Sequence, residues 1–122
     1  METVKKKKLP KHSDDRGELT VIELRDFIDW EPKRIYYVTN AVKDRGGHAV
    51  VGEKKMYVCM KGSCSARIHD GQNWKTFDLK GPNDALLVNH ICFREFFDFS
   101  EDAVLMAISN MNYEPDKYIF DL

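Results

Sequence analysis

An all-β fold, an antiparallel sandwich or barrel, is what this sequence predicts, and three observations carry the prediction. Apolar and β-branched residues come in short runs with period-two alternation, the signature of strands half-buried on a sheet. Turn signals interrupt those runs at intervals of about 8–12 residues, the spacing of sandwiches and barrels. No stretch carries the sustained 3.6-residue apolar period of a long amphipathic helix. At 122 residues, 43% of them hydrophobic, the chain suits one domain with a core of ordinary size.

The elements follow in order. Residues 1–12 are lysine-rich and read as a basic N-terminal arm or an added edge strand. His12 to Gly17 is a polar turn. Glu18 to Leu24 has strand character, and Arg25 to Trp30 is a loop or a single helical turn, ended by Pro32. Lys33 to Thr39 is a strand, with Arg34, Tyr36 and Val38 on one face and Ile35 and Tyr37 on the other. Asn40 to Arg45 connects. In Arg45-Gly46-Gly47-His48-Ala49-Val50, adjacent glycines let the backbone approach a ligand closely or take positive φ. Lys55 to Met60 reads as a strand, Lys61-Gly62-Ser63 as a tight turn and Cys64 to His69 as the returning strand of a hairpin. Asp70-Gly71 signals another hairpin, leading into the alternating Trp74 to Leu79. After the Gly81 to Asp84 turn come strands at Ala85 to Asn89, Ile91 to Phe99 and Val104 to Ile108. The tail holds one short helix from Pro115 on.

Composition narrows the function. Nineteen basic and twenty acidic residues leave a net charge of −1, against the basic excess of a broad nucleic-acid surface. Nothing approaches the ~20 apolar residues of a membrane helix, and the start lacks the charged-then-apolar pattern of a signal peptide. A cytoplasmic protein is expected. Cys59, Cys64 and Cys92 are odd in number, form no CxxC pair and sit in apolar runs, so buried free thiols are expected.

Several residue types bear chemistry. His48 titrates near neutral pH and suits a general base, or is a structural residue beside a strand. Arg45 suits bidentate pairing with phosphate oxygens, or is a surface cation. Arg16 is a turn residue or a further cation. Tyr36 offers a phenol that can donate a proton or stack on a base, or it is plain core. Lys54, Lys55 and Arg94 are cations near strand starts, each weak evidence alone. Glu53 is a possible carboxylate ligand, but no second imidazole lies near it in sequence, and no metal site is expected.

These stretches also carry a resemblance. Lys33-Arg34-Ile35-Tyr36-Tyr37, Arg45-Gly46-Gly47-His48-Ala49, Val58-Cys59-Met60-Lys61-Gly62-Ser63-Cys64 and Asp98-Phe99-Ser100 resemble the cupin-fold dTDP-4-keto-6-deoxyglucose 3,4-ketoisomerases, the WxcM-like family. A wider similarity to RmlC-like 3,5-epimerases shows in Asp14-Asp15-Arg16-Gly17 and Arg45-Gly46-Gly47-His48. The resemblance implies one cupin jelly-roll barrel (a double-stranded β-helix) over residues 1–122. It also implies a homodimer with exchanged N-terminal strands, a dTDP-linked keto-sugar as ligand, and neither metal nor organic cofactor. It places His48 in proton transfer, Tyr36 on the barrel wall, and Arg16 and Arg45 near the pyrophosphate or sugar; Arg34 and Arg94 are the further substrate-binding candidates. The family's His-x-His reads His48-Ala49-Val50 here, and its Trp-His-Glu-like segment reads Phe93-Arg94-Glu95. Valine cannot move a proton, and an arginine can hold an anion but does not act as a base.

Two functions follow. The first is an isomerase or epimerase that moves a proton beside the keto group of a dTDP-4-keto-6-deoxyhexose in deoxysugar or surface-glycan biosynthesis. The alternative is a catalytically impaired, sugar-nucleotide-binding cupin that supports a partner enzyme. Retained His48 and Arg45 favour the first, and Val50 and Arg94 the second.

Overall fold

The alternating runs form strands almost where the sequence places them. In the computed structural model, which describes residues 4–120, these are β1 (Val4–Lys8), β2 (Lys11–Asp14), β3 (Gly17–Thr20), β4 (Arg34–Thr39), β5 (Arg45–Val50), β6 (Lys55–Lys61), β7 (Ser63–His69), β8 (Trp74–Lys80), β9 (Asp84–Val88), β10 (Phe93–Phe97), β11 (Val104–Ser109) and β12 (Tyr118–Ile119). Residues 1–3 of the basic arm and 121–122 of the tail lie outside the described residues. Two five-stranded antiparallel sheets face each other. The first runs β1-β9-β6-β11-β4 and the second β12-β5-β10-β7-β8. This is the sandwich or barrel expected from the sequence. β1 is an edge strand, paired in register with β9 of its own chain from Val4↔Val88 to Lys8↔Asp84.

The centre of the first sheet, β6, β9 and β11, is buried on both faces. Inward-facing Tyr57, Cys59, Leu86, Val88, Leu105 and Ala107 meet Ala66, Ile68, Leu79 and Phe96 of the second sheet. On the outer face Met56, Val58, Ala85, Leu87 and Ile108 are covered by Ile22, Leu24, Phe27, Ile28 and Trp30. Fully burying a side chain of this size contributes about 1.5–3 kcal/mol. Two-sided burial explains why β6 and β9 read as unbroken apolar runs rather than clean alternations.

It also explains the first correction. The expected strand from Glu18 to Leu24 stops at Thr20, because Ile22 and Leu24 are drawn onto that outer face. A single 3-10 turn, Leu24–Asp26, follows. The second correction concerns Lys55 to His69. β6 and β7 are not a hairpin: β6 pairs with β9 and β11, and β7 with β8 and β10. The tight turn is real, with Gly62 at φ +67, but it carries the chain from one sheet to the other. A Cβ on Gly62 would meet Ser100, Asp102 and Ala103. Local turn chemistry cannot distinguish the two outcomes.

The Asp70-Gly71 hairpin joins β7 to β8 as expected; Asp70 Oδ1 accepts from the Gln72 and Asn73 amides at 2.9 Å each. A 3-10 turn at Pro115–Lys117 stands where the short tail helix is expected. Cys59, Cys64 and Cys92 are free and buried. The polar turn at 12–17 is tighter than expected. Only Asp15 and Arg16 turn, while β2 and β3 form a two-stranded hairpin whose side chains are almost all exposed.

Candidate active site

Register lines the site up in layers. Across the first sheet Arg34, Ser109 and Lys55 lie in one row, Tyr36, Ala107 and Tyr57 in the next, and Val38, Leu105 and Cys59 in the third. One end of the inner face is therefore polar, and the interior becomes apolar toward the other end. Across the second sheet His48 of β5 sits directly opposite Arg94 of β10. Residues directly opposite in an antiparallel pair share a face, so the imidazole and the guanidinium project into the same interior. Tyr36, Val38, Arg45, Gly46, His48, Tyr57, Arg94, Phe96, Leu105 and Ala107 line a cavity of about 80 Å³ that opens to solvent. Its mixed polar and apolar lining is that of a small-molecule site.

The paired glycines set this geometry. Gly46 and Gly47 have φ +92 and +75, and the β5–β10 register slips so that Arg94 faces His48 and Glu95 faces Gly46. Such a bulge re-aims side chains next to it. The close approach is to β10, since a Cβ on Gly46 would lie 2.6 Å from the Arg94 carbonyl oxygen.

Behind the cavity wall lies a buried ionic cluster that the sequence reading did not assemble. Arg94 Nη2 donates to Glu53 Oε1 at 2.5 Å, and Lys55 Nζ is 3.3 Å from the same oxygen. Ser109 Oγ donates to Glu53 Oε2 at 2.7 Å. Lys55 Nζ also donates to the Tyr36 hydroxyl at 2.5 Å. The side chains of Glu53, Lys55 and Arg94 are each 2% exposed. Asn110 fixes the turn that carries Glu53: its Oδ1 accepts from the Lys54 amide and its Nδ2 donates to the Gly52 carbonyl.

One carboxylate thus faces two cations, and burial together with this surplus positive charge shifts the titrations of Glu53, Lys55, His48 and Tyr36. Burial pushes the Glu53 carboxyl up, but Lys55, Arg94 and the Ser109 bond outweigh it and hold it below its ordinary value. Burial, then Arg94, brings the Lys55 ammonium down to about 7. Burial and Arg94 hold His48 below the ordinary imidazole value of 6.5, against a backbone hydrogen bond at Gly46. Burial raises the Tyr36 phenol, and Arg94 opposes it. His48 is therefore the neutral form at neutral pH, free to accept a proton.

The cavity opens past Tyr36, Arg45 and His48 into an outer cleft that adds Arg34, Ile35, Tyr113 and Tyr118. The Tyr118 ring lies 4.7 Å from the imidazole. The Arg34 guanidinium lies over the rings of Tyr36 and Tyr113, 5.0 and 5.6 Å from their centres. Its Nε is buried without a hydrogen-bond partner. Among the described residues neither Arg34 nor Arg45 has a carboxylate partner.

Five of the six residues expected at the site, His48, Tyr36, Arg34, Arg45 and Arg94, therefore meet at one end of the barrel. Arg16 does not join them. It lies on the β2–β3 hairpin, 87% exposed and paired with Asp14 at 2.6 Å. Val50 is buried and does not line the cavity. Glu53 is committed to its three partners, and among the described residues no three His, Cys, Asp or Glu side chains group as metal ligands. No helix among them is long and apolar enough to cross a membrane. The signal for Lys55 is parity, since Lys55, Tyr57 and Cys59 share the inward face of β6; Glu53 lies in the turn before that strand, where no alternation reaches it.

Comparison with known proteins bears on the family and the fold. The family model described as WxcM-like, C-terminal matches residues 2–122. A TDP-4-oxo-6-deoxy-alpha-D-glucose-3,4-oxoisomerase from Aneurinibacillus thermoaerophilus is 34% identical over 108 residues, covering 87% of this chain and 78% of the relative. A 3,4-ketoisomerase from Helicobacter canadensis superposes with a TM-score of 0.89 at 32% identity, over 97% of this chain and 90% of that one. A mutant of the 3,4-ketoisomerase QdtA from Thermoanaerobacterium thermosaccharolyticum, in complex with TDP-4-keto-6-deoxyglucose, superposes with a TM-score of 0.90 at 29% identity, over 99% and 89%.

Proposed function

The chain belongs to the WxcM-like, C-terminal family, and on that premise we propose that it is a sugar-nucleotide 3,4-ketoisomerase acting on a TDP-linked 4-keto-6-deoxyhexose. The observation that carries the reading is the pairing of His48 with Arg94 across β5 and β10, which puts a neutral imidazole at the wall of the cavity, where it opens into the outer cleft. Relatives with the same chemistry in their names support it.

The hydrogen on C3 is acidified by the C4 carbonyl. His48 removes it, giving an enediolate. The Tyr36 hydroxyl and the surplus positive charge around Arg94 stabilise the oxygen on which charge develops. Return of the proton to C4 completes the shift of the carbonyl to C3. Positioned acid–base groups of this kind supply about 10²–10⁴-fold each. Arg34 and Arg45, without carboxylate partners at the mouth, suit the diphosphate, and the Tyr113 and Tyr118 rings offer faces for the base.

The same proposal treats residues 1–122 as one catalytic domain in a reducing, cytoplasmic setting, which the three buried thiols support. It includes a homodimer that exchanges N-terminal strands. Supporting this, the β2–β3 hairpin pairs with no other strand among the described residues and leaves Leu19 61% exposed. An isolated two-stranded ribbon is marginal in water, and a second copy would cover it and bring its Arg16 toward a site.

The test is direct. Incubated with TDP-4-keto-6-deoxyglucose, the protein moves the carbonyl from C4 to C3, read by carbon NMR. TDP binding with an unaltered carbonyl after prolonged incubation leaves the binding-only alternative.

A further inference from the structure

Isomerisation across C3 and C4 moves two protons, and His48 accounts for one. The carbon-bound proton leaves C3 and returns at C4. The hydroxyl proton on O3 must also leave, and one must arrive on O4. A second group therefore has to trade protons between neighbouring oxygens. This inference rests on the ketoisomerase reading above.

The group nearest the part is Tyr36, and its surroundings are unusual. Its side chain is part of the cavity lining. Its hydroxyl accepts a hydrogen bond from Lys55 Nζ at 2.5 Å. A phenol has one proton and two acceptor lone pairs. With Lys55 donating from behind the wall, the phenol's own proton is left to point into the cavity. Lys55 does not line the cavity, and burial of an ammonium without partners would cost several kcal/mol. It is held there by Glu53 Oε1 at 3.3 Å, and that carboxylate is clamped by Arg94 and Ser109. Three elements, β6, β10 and β11, thus converge to place one amine against one phenol.

We infer that Lys55 is a positioning residue which, clamped by Glu53 and Ser109, makes Tyr36 the oxygen-to-oxygen proton shuttle of the isomerisation. His48 takes the C3 proton first, leaving the enediolate; the Tyr36 O–H bond then breaks and an O4–H bond forms. The O3–H bond then breaks, its proton returns to the phenolate, and His48 delivers the carbon proton to C4. C3–H and O3–H are replaced by C4–H and O4–H, and both protein groups end as they began. Lys55 stabilises the transient phenolate through its hydrogen bond. The groups facing Lys55 are Arg34 and Tyr36 from β4, His48 from β5, Glu53 from the β5–β6 turn, Tyr57 from β6 itself and Arg94 from β10, with Ser109 of β11 opposite it in register.

The test uses Lys55→Met, which keeps the aliphatic stem and removes the donor. Conversion of TDP-4-keto-6-deoxyglucose is compared with deuterium uptake into recovered substrate, alongside TDP affinity. The inference expects conversion to fall about 10²-fold, deuterium uptake to fall far less, and TDP affinity to hold. Conversion and uptake both close to the parent's overturn it. So does a loss of TDP binding that matches the loss of conversion, which makes Lys55 merely structural. A second measurement needs neither activity nor that variant. In protein labelled with ¹³C at lysine Cε, one lysine titrates well below the rest, and Tyr36→Phe lowers its midpoint further by about half a unit or more, because the ammonium loses an acceptor. No such lysine, or a midpoint that Tyr36→Phe leaves in place, overturns the link. A parent that converts no keto-sugar removes the isomerase reading alone, and the lysine titration then decides the Lys55–Tyr36 link by itself.

Discussion

Arg94 and Arg16 were equal candidates for binding substrate, and the fold treats them oppositely. Arg94 is sealed in the barrel with 2% of its side chain exposed, paired with Glu53 and facing His48 across two strands. Arg16 stands on a projecting hairpin, 87% exposed, and pairs with its neighbour Asp14. The same guanidinium is a fixed electrostatic wall in one place and a solvated tip in the other. Strand register separates them, since Arg94 inherits its environment from β5 and β7 on either side. The hairpin of Arg16 has no sheet behind it. Electrostatic consequences follow the same line: charges buried together perturb every titration near them, whereas an exposed pair contributes about 0–1 kcal/mol.

The sharpest way to break this contrast is to remove the carboxylate that holds the buried end together. Glu53→Gln leaves Lys55 and Arg94 buried without their anion and is expected to cost about 3–5 kcal/mol of stability, read as a lower denaturant midpoint. A loss below about 1 kcal/mol in the same melts would mean that the buried cluster behaves like a surface pair.

The next effect is on pH dependence. His48 must be neutral to accept the C3 proton. Burial and Arg94 lower its folded value below 6.5, so the base is retained through neutral pH and lost as pH falls through that lowered value. Below it kcat/KM is expected to drop about tenfold per unit, with the acidic limb lying under the ordinary imidazole range. A limb at or above 6.5 contradicts the electrostatic account.

Gly46→Ala is smaller. A Cβ there meets the Arg94 carbonyl at 2.6 Å with φ at +92, so a loss of more than about 1 kcal/mol is expected, together with weaker TDP binding as His48 and Arg94 come out of line. Unchanged melting and binding would show the bulge to be dispensable. The smallest effect is at the other end: Arg16→Ala is expected to change stability by no more than about 0.5 kcal/mol. A weaker dimer or poorer TDP affinity in that variant, measured by sedimentation and calorimetry, would place this hairpin at a partner's site.

Most strands and the inward face of β4 could be read from alternation, because period-two burial is a local property. Arg34, Tyr36 and Val38 face in, while Ile35 and Tyr37 stand 61% and 69% exposed. The path of the chain after Met60 could not, because a glycine turn that closes a hairpin and one that crosses between sheets have the same local chemistry. Lys55 and Glu53 were legible only in part. Alternation along β6 puts Lys55 on the inward face, but Tyr36, the partner of Lys55, and Arg94 and Ser109, the partners of Glu53, come from strands 19 to 56 residues away, and no pattern in one sequence pairs them. His48 and its glycines were found by residue type and spacing, and register then supplied what they face.

The central claim is that His48 is the base which moves the carbon-bound proton inside this cavity, and deuterium uptake tests it most directly. In deuterated water with TDP-4-keto-6-deoxyglucose, the parent protein is expected to introduce deuterium beside the carbonyl, and His48→Asn is expected to abolish it while still binding TDP. Uptake that persists undiminished in His48→Asn, or a parent that binds TDP and exchanges nothing, would contradict the account.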